Sequence, residues 1–327
     1  MKAVVVEKFD PEYQLAVREV DPPSEPVGSE VVVRVRAAGL NRADLLQARG
    51  LYPPPKGYSA DRPGLEFAGE VEVAGDSVAR WKIGDRVFGI TAGEAQAELV
   101  RTDERLLAAI PDNLNFASAA AVPEAFITAS DAIFSQASLR TDEVLLIHAV
   151  GSGVGLAALQ VAKANGNFVI GTSRTAAKLE RCRNFGLDIA VETNGGDFAE
   201  TVMKKTNGRG ADVILDLVGG GYFEQNLASL APKGRLVVVG LTSGRVAKCD
   251  LGLVLQKRAK IIGTVLRVRS TDEKADATRR FETDVLPLLA SGKIRPNVDR
   301  VFPAAEAAEA YRHLSSDATF GKVVLVF

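Results

Sequence analysis

The sequence predicts an α/β fold in which a doubly wound parallel sheet is inserted between two pieces of a β-rich, barrel-like domain. Three observations lead there. The run from Glu143 to Val150 is apolar without polar alternation and passes straight into Gly151-Ser-Gly153-Val-Gly155, as expected for a strand buried on both faces that turns into a helix. Further strand-like runs alternate with helical segments up to Val265, the pattern of a parallel sheet covered by helices. The chain on either side has short strands punctuated by Gly and Pro, which suits a compact β domain.

Taken in order, strands are expected at Lys2–Glu7, Glu30–Ala37, Leu65–Val73 and Arg86–Ile90, separated by turns at Asp21–Pro26, Pro53–Pro55 and Gly84-Asp85. The central domain starts its sheet at Glu143–Val150, followed by a helix over Val154–Ala164. A strand at Asn167–Thr172, a helix at Ala177–Phe185, and strands at Ala211–Val218, Gly234–Gly240 and Ala259–Val265 come next. Beyond Leu266 the sequence suggests a helix over Lys274–Leu289, a shorter one over Ala304–Leu314 and a last strand at Lys322–Phe327. With no sheet of its own, that strand is expected to return to the first domain. The boundaries are therefore placed at 1–123 with 267–327 for the outer domain and 124–266 for the inserted one.

Composition narrows the field. A chain of 327 residues is long for one domain. A net charge of −1 with 25% charged residues offers no electrostatic attraction for nucleic acid or acidic lipid. No apolar run is long enough to span a bilayer, and the first residues, soon charged, do not read as a signal peptide. Cys182 and Cys249 are the only cysteines, far apart in sequence, so a reducing, cytoplasmic setting is expected rather than a disulfide framework.

The joint at Val150, Gly151, Ser152, Gly153 and Val154 is a candidate phosphate cradle. Glycines admit a diphosphate close to the backbone, and the helix start presents unpaired N–H groups. The motif is V-G-S-G-V-G rather than G-x-G-x-x-G, and a turn that merely packs a helix closely is the alternative. Ligands of such sheets bind beyond the carboxyl ends of the strands, which gathers Gly151, Ser173, Gly219 and Gly240 around one crevice. The next strand ends in Gly171-Thr-Ser-Arg174 with Lys178 following, and no acid stands among them. An acid there would bind the ribose hydroxyls of NAD; Ser173, Arg174 and Lys178 suit the 2′-phosphate of NADPH instead. Hydrogen bonds to charged groups contribute about 1.5–3 kcal/mol each, so two support a preference of roughly 100-fold. A solvated basic helix start is the competing reading.

Several blocks carry a family resemblance: Ala37-Ala-Gly-Leu-Asn-Arg-Ala-Asp44, Arg49-Gly-Leu-Tyr-Pro-Pro-Pro55, Pro63-Gly-Leu-Glu-Phe-Ala-Gly69, Trp81-Lys-Ile-Gly-Asp-Arg-Val87, Ala119-Ala-Ala-Val-Pro-Glu124, Leu146-Ile-His-Ala149 and Gly321-Lys-Val-Val-Leu325. In this order they resemble the zinc-free, NADPH-dependent quinone oxidoreductases of the medium-chain dehydrogenase/reductase superfamily, over essentially the whole chain. The resemblance implies a Rossmann domain inserted into a GroES-like β-barrel catalytic domain, and a homodimer, for which the Lys260–Val265 edge is a candidate contact. It implies Asn41 and Tyr52 at the substrate, Asp44 nearby, and Thr128 and Lys322 among the coenzyme contacts; Gly240, Leu241 and Thr242 follow the strand expected to end beneath the nicotinamide and are candidate contacts to its carboxamide, with an ordinary glycine-bearing loop as the alternative. Asp44 reads as a local helix cap rather than a catalytic group, and a tyrosine packed on Pro53 is the alternative reading of Tyr52. One departure concerns the 2′-phosphate region: relatives often carry a tyrosine near position 193, where this chain has Thr193.

Zinc ligation is not expected. In zinc-dependent relatives a Cys stands at Asn41, a His at Leu65 and a Cys near Glu124; leucine cannot ligate, and the chain has two His in all, His148 and His313. Chemistry without a Lewis acid calls for an acceptor that is already electrophilic, such as a quinone or a conjugated enone, whose reduced oxygen hydrogen-bond donors can stabilise. A zinc-free enoyl-thioester or alkenal reductase is the near alternative. A non-catalytic coenzyme- or RNA-binding protein of the same fold is the distant one.

Overall fold

A computed structural model describes residues 1–10, 12–193 and 197–327. The chain divides into two compact units, Met1–Ile127 with Leu266–Phe327, and Thr128–Val265.

The first unit is built on strands. β1 (Lys2–Lys8) and β2 (Gln14–Glu19) form an antiparallel pair. β3 (Glu30–Leu40), β4 (Glu66–Ala74), β5 (Arg86–Ile90), β6 (Leu99–Asp103) and β7 (Leu107–Ala109) form a larger sheet with two strands from the end of the chain, Val298–Pro303 and Lys322–Val326. β3 is long enough to serve three neighbours. Its first half pairs with β6, its second half with Lys322–Val326, and nearly its full length with β4, with register shifts that bend it. The terminal strand thus returns to the first domain, as the sequence predicts: Val323 pairs with Leu40 and Val326 with Ala37. Inward-facing Val31, Val33, Val35, Phe67, Val71, Val87 and Leu107 make one apolar cluster of this unit, by the alternation that a half-buried strand requires.

The second unit carries β8 (Val144–Ile147), β9 (Phe168–Ser173), β10 (Ile189–Glu192), β11 (Ala211–Asp216), β12 (Leu230–Val238) and β13 (Lys260–Gly263). They lie in the order β10-β9-β8-β11-β12-β13, every pair parallel. The order reverses between β8 and β11, which makes the crevice above those two strands the binding place of a doubly wound sheet. All six residues of β11 are buried, so a strand covered on both faces has no polar alternation to show. With the terminal strands of the first unit following as β14 (Val298–Pro303) and β15 (Lys322–Val326), the strand count is complete among the described residues.

The helices used below are α1 (Arg42–Ala48), α2 (Pro123–Ser130), α3 (Gly153–Ala164), α4 (Ala176–Arg183) and α5 (Thr271–Asp284). The single helix expected over Lys274–Leu289 is two: α5 ends at Asp284 and a short helix resumes at Leu286 with Pro287 in its first turn. Proline cannot supply the N–H that a continuous helix needs there, but it is tolerated where a helix begins.

Candidate active site

In the second unit the turn after β8 is drawn over its neighbours. The His148 amide donates to the Leu215 carbonyl and the Val150 amide to the Thr172 carbonyl. Ala149 takes a left-handed φ of 49°, unusual for a residue with a side chain and a mark of a tightly specified turn. Ser152 is the N-cap of α3, its Oγ accepting from the Gly155 amide at 3.1 Å. A Cβ at Gly155 would stand 2.5 Å from the Ala149 carbonyl oxygen, so only glycine lets α3 begin this close to the turn. The amides of Gly151, Gly153 and Val154 have no backbone acceptor among the described residues, which leaves three donors for an anion.

Beside the turn, β9 ends in buried Ser173, followed by exposed Arg174 and, on α4, half-buried Lys178. Thr193 donates from both its amide and its hydroxyl to the Ser173 carbonyl. Its hydroxyl also lies 2.7 Å from that of Tyr222. The structure therefore brings a tyrosine hydroxyl to Thr193 from the segment after β11, a feature that reading position 193 alone does not reveal. On the far side of the crevice, Gly219 has φ 90°, and a Cβ there would touch the Gly240 carbonyl and Leu241. Ser243 Oγ ties this segment down, accepting from the Gly221 amide and donating to the Val218 carbonyl. Gly219, Gly240 and Leu241 are thus neighbours, with Thr242 exposed on the adjoining turn.

A buried relay fixes the strand ends. Asn226 donates through Nδ2 to Asp216 at 3.0 Å, so its Oδ1 accepts from His148 Nε2 at 2.6 Å, and Thr172 donates to His148 Nδ1 at 2.8 Å. These partners define a neutral Nε2–H imidazole, and burial holds the His148 pKa below the usual histidine range. The ring packs edge-on against Phe198 and Tyr222. His148 is a packed residue at the strand end and not a ligand.

Thr128, on α2, has a buried hydroxyl without a hydrogen-bond partner. An orphan of this kind calls for a partner from outside the protein. Together with the three unpaired amides it fits a dinucleotide, which brings phosphate oxygens to one place and a polar carboxamide to another.

The first unit holds a polar cluster around α1. Asp44 accepts from the Asn41 amide at 2.7 Å and from the Gly64 amide at 3.2 Å, so it caps its own helix. Burial nevertheless pushes its pKa up to about 6 against these donors and the nearby Lys322 and Arg267. Lys322 gives its ammonium to the Leu40 carbonyl at 2.6 Å, Asn41 Oδ1 at 2.6 Å and Glu66 Oε1 at 2.5 Å. An ammonium has three N–H groups, and all three are taken. Lys322, expected among the coenzyme contacts, also holds Asn41 in place. Asn41 donates to Glu66 Oε1 at 2.9 Å; carboxylate on one side and ammonium on the other fix which end of the amide is nitrogen. One N–H of Asn41 remains for a ligand.

Tyr52 is half-buried beneath Arg267, whose guanidinium lies 5.0 Å from the ring centre and whose Nη1 donates to the Tyr52 carbonyl at 3.0 Å. Arg267 also donates to the Ala92 carbonyl and to Gln47 Oε1. Burial holds the Tyr52 pKa above the usual phenol range. Nothing local in the sequence marks Arg267, one of two arginines soon after the last strand of the insert, because its partners are distant in sequence. Glu124 escapes in the same way. Among the described residues no cluster of three or more His, Cys, Asp or Glu is placed to hold a metal. Leu65 is buried and Glu66 is engaged by Lys322.

A GroES-like β unit joined to a doubly wound nucleotide-binding unit defines a medium-chain dehydrogenase/reductase. Residues 28–130 match the alcohol dehydrogenase GroES-like domain and residues 153–283 the zinc-binding dehydrogenase domain. The chain is 37% identical over 307 residues to a quinone oxidoreductase of Pseudomonas aeruginosa, covering 93% of each protein, and it belongs to the quinone oxidoreductase family of that superfamily. Among solved structures it is similar to the Escherichia coli quinone oxidoreductase complexed with NADPH, with a TM-score of 0.89, 30% identity and full coverage of both chains. It is also similar to an NAD-dependent alcohol dehydrogenase, at a TM-score of 0.87, 32% identity and full coverage of both. The CurK enoyl reductase gives a TM-score of 0.87 at 28% identity, covering 99% of this chain and 98% of that one.

Proposed function

We propose that this protein is a metal-independent, NADPH-dependent reductase of quinones or similarly activated conjugated carbonyls. The observation that carries the reading is full-length likeness to a quinone oxidoreductase combined with a polar site in which an ammonium, Lys322, stands between Asn41 and Glu66. When bound, the reduced dinucleotide supplies a hydride. The protein's part is to bind, orient and stabilise. Gly151, Gly153 and Val154 offer their amides, with Ser152 capping the helix behind them, to the diphosphate. Ser173, Arg174 and Lys178, with Tyr222 reaching Thr193, surround the ribose phosphate. Thr128 and the Gly240–Thr242 turn serve the nicotinamide end. Asn41 offers its remaining N–H, and Tyr52 its hydroxyl, to the oxygen on which negative charge develops.

Two copies are proposed to associate through the edge of β13. Ile261 on that strand and Val265 just past its end are 45% and 43% exposed, and an uncovered apolar edge invites strand pairing.

The enoyl reductase likeness makes a substrate panel the proper test. With NADPH and protein dialysed against a chelator, quinones are turned over with kcat/KM at least about tenfold above enoyl thioesters, a difference of roughly 1.4 kcal/mol in transition-state binding. The opposite order would assign the enzyme to enoyl reduction, and loss of activity restored by zinc would overturn metal independence.

A further inference from the structure

The reaction proposed above leaves one atom unassigned. Hydride transfer to a quinone delivers two electrons and one hydrogen nucleus, which yields the hydroquinone monoanion; one proton must follow. Neither Asn41 nor Lys322 can supply it, since an amide does not ionise in this range and all three ammonium hydrogens are held by Leu40, Asn41 and Glu66.

Glu124 meets the requirements by position. It sits at the start of α2, its amide donating to Glu66 Oε2 at 2.9 Å. Its own carboxyl makes no hydrogen bond or ion pair to any described residue, although charged and polar groups surround it. Facing it are Glu66 from β4, Asp44 from α1, Lys322 from β15, Lys274 from α5, Arg267 and Tyr52. Of these cations, Lys322 is committed to Glu66, and Arg267 to Ala92, Tyr52 and Gln47. As a whole residue Glu124 is half-buried.

We propose that Glu124 is the proton donor to the reduced acceptor, acting beside Asn41 and Tyr52. The inference rests on the quinone reductase reading of this site. The O–H bond of the Glu124 carboxyl breaks, its electron pair stays on the carboxylate, and the proton bonds to the anionic oxygen of the hydroquinone. The coenzyme's hydride supplies both electrons, leaving the coenzyme oxidised, and water then reprotonates Glu124. The group is suited to the task at neutral pH, because burial and the Glu66 carboxylate push its pKa up to about 8.

Two measurements on the full chain decide the matter. Infrared spectra of coenzyme-free protein at pH 7 are expected to show a protonated-carboxyl stretch that is absent from Glu124→Gln and titrates near pH 8. In steady-state quinone reduction, kcat of the wild type falls as pH rises through the same value. Glu124→Gln lowers kcat roughly 100-fold and abolishes that limb, while Tyr52→Phe keeps it. If the Gln variant does not fold, coincidence of the infrared and kinetic titrations in the wild type carries the test. An active wild type with no such infrared band, or a Gln variant equal to it at every pH, overturns the proton donor alone. A wild type inert toward quinones overturns the functional reading beneath it.

Discussion

Lys322 and Glu66 are 5% and 0% exposed, and each is the other's counter-charge. Such a pair gains little over well-packed apolar residues, because both ions lose their water, yet removing one partner strands the other. Lys322→Met is therefore expected to lower unfolding free energy by about 3–5 kcal/mol, and Lys322→Met with Glu66→Gln to recover a large part of it, as read from urea denaturation. A single variant within 0.5 kcal/mol of wild type would show that the pair does not hold Asn41. The sequence gives little warning of this arrangement. Asn41, Asp44 and Glu66 can be singled out one by one, and Asp44 as a helix cap is legible from its place three residues after Asn41. Their meeting with Lys322 depends on the last strand pairing with β3, a contact made across nearly the whole chain.

The turn between β8 and α3 is the element on which coenzyme binding depends. Its geometry is set by backbone approach, so it tolerates little added volume. In Gly155→Ala the new Cβ would meet the Ala149 carbonyl at 2.5 Å and Val150 Cα at 2.8 Å, backbone atoms that cannot swing aside. The expected result is a loss of about 1–3 kcal/mol of stability together with weaker NADPH binding. Unchanged thermal unfolding and affinity would mean that the turn is looser than described.

Elements such as β8, β9 and β11 are legible because burial on both faces leaves a mainly apolar run without polar alternation. The strands β2, β6, β7, β10 and β14 are not foreseen. They have three to six residues each, and the exposed positions within β14 mask any strand signal in a single sequence. The strand β12 begins at Leu230, four residues earlier than the apolar run suggests, because Pro232, Lys233 and Gly234 lie within it. Local composition there argues for a turn, and pairing with β11 overrides it.

For the molecule as a whole, the fold class follows from order alone: β-rich, then alternating, then a final strand with no local partner. What order cannot supply is which side chains converge. Tyr222 reaches Thr193, and Arg267 reaches Tyr52, Ala92 and Gln47, only after the chain has folded. The absence of an acid among Ser173, Arg174 and Lys178 is, by contrast, legible directly, and it is where the choice of coenzyme rests.

The most direct test of the account measures dissociation constants of NADPH and NADH, by calorimetry, for the wild type and for the Arg174→Ala, Lys178→Ala double variant. The wild type is expected to bind NADPH roughly 100-fold more tightly, and the double variant to bring the two coenzymes close to parity by losing NADPH affinity while NADH affinity is kept. Equal binding of the two by the wild type, or a preference that survives both substitutions, would contradict it.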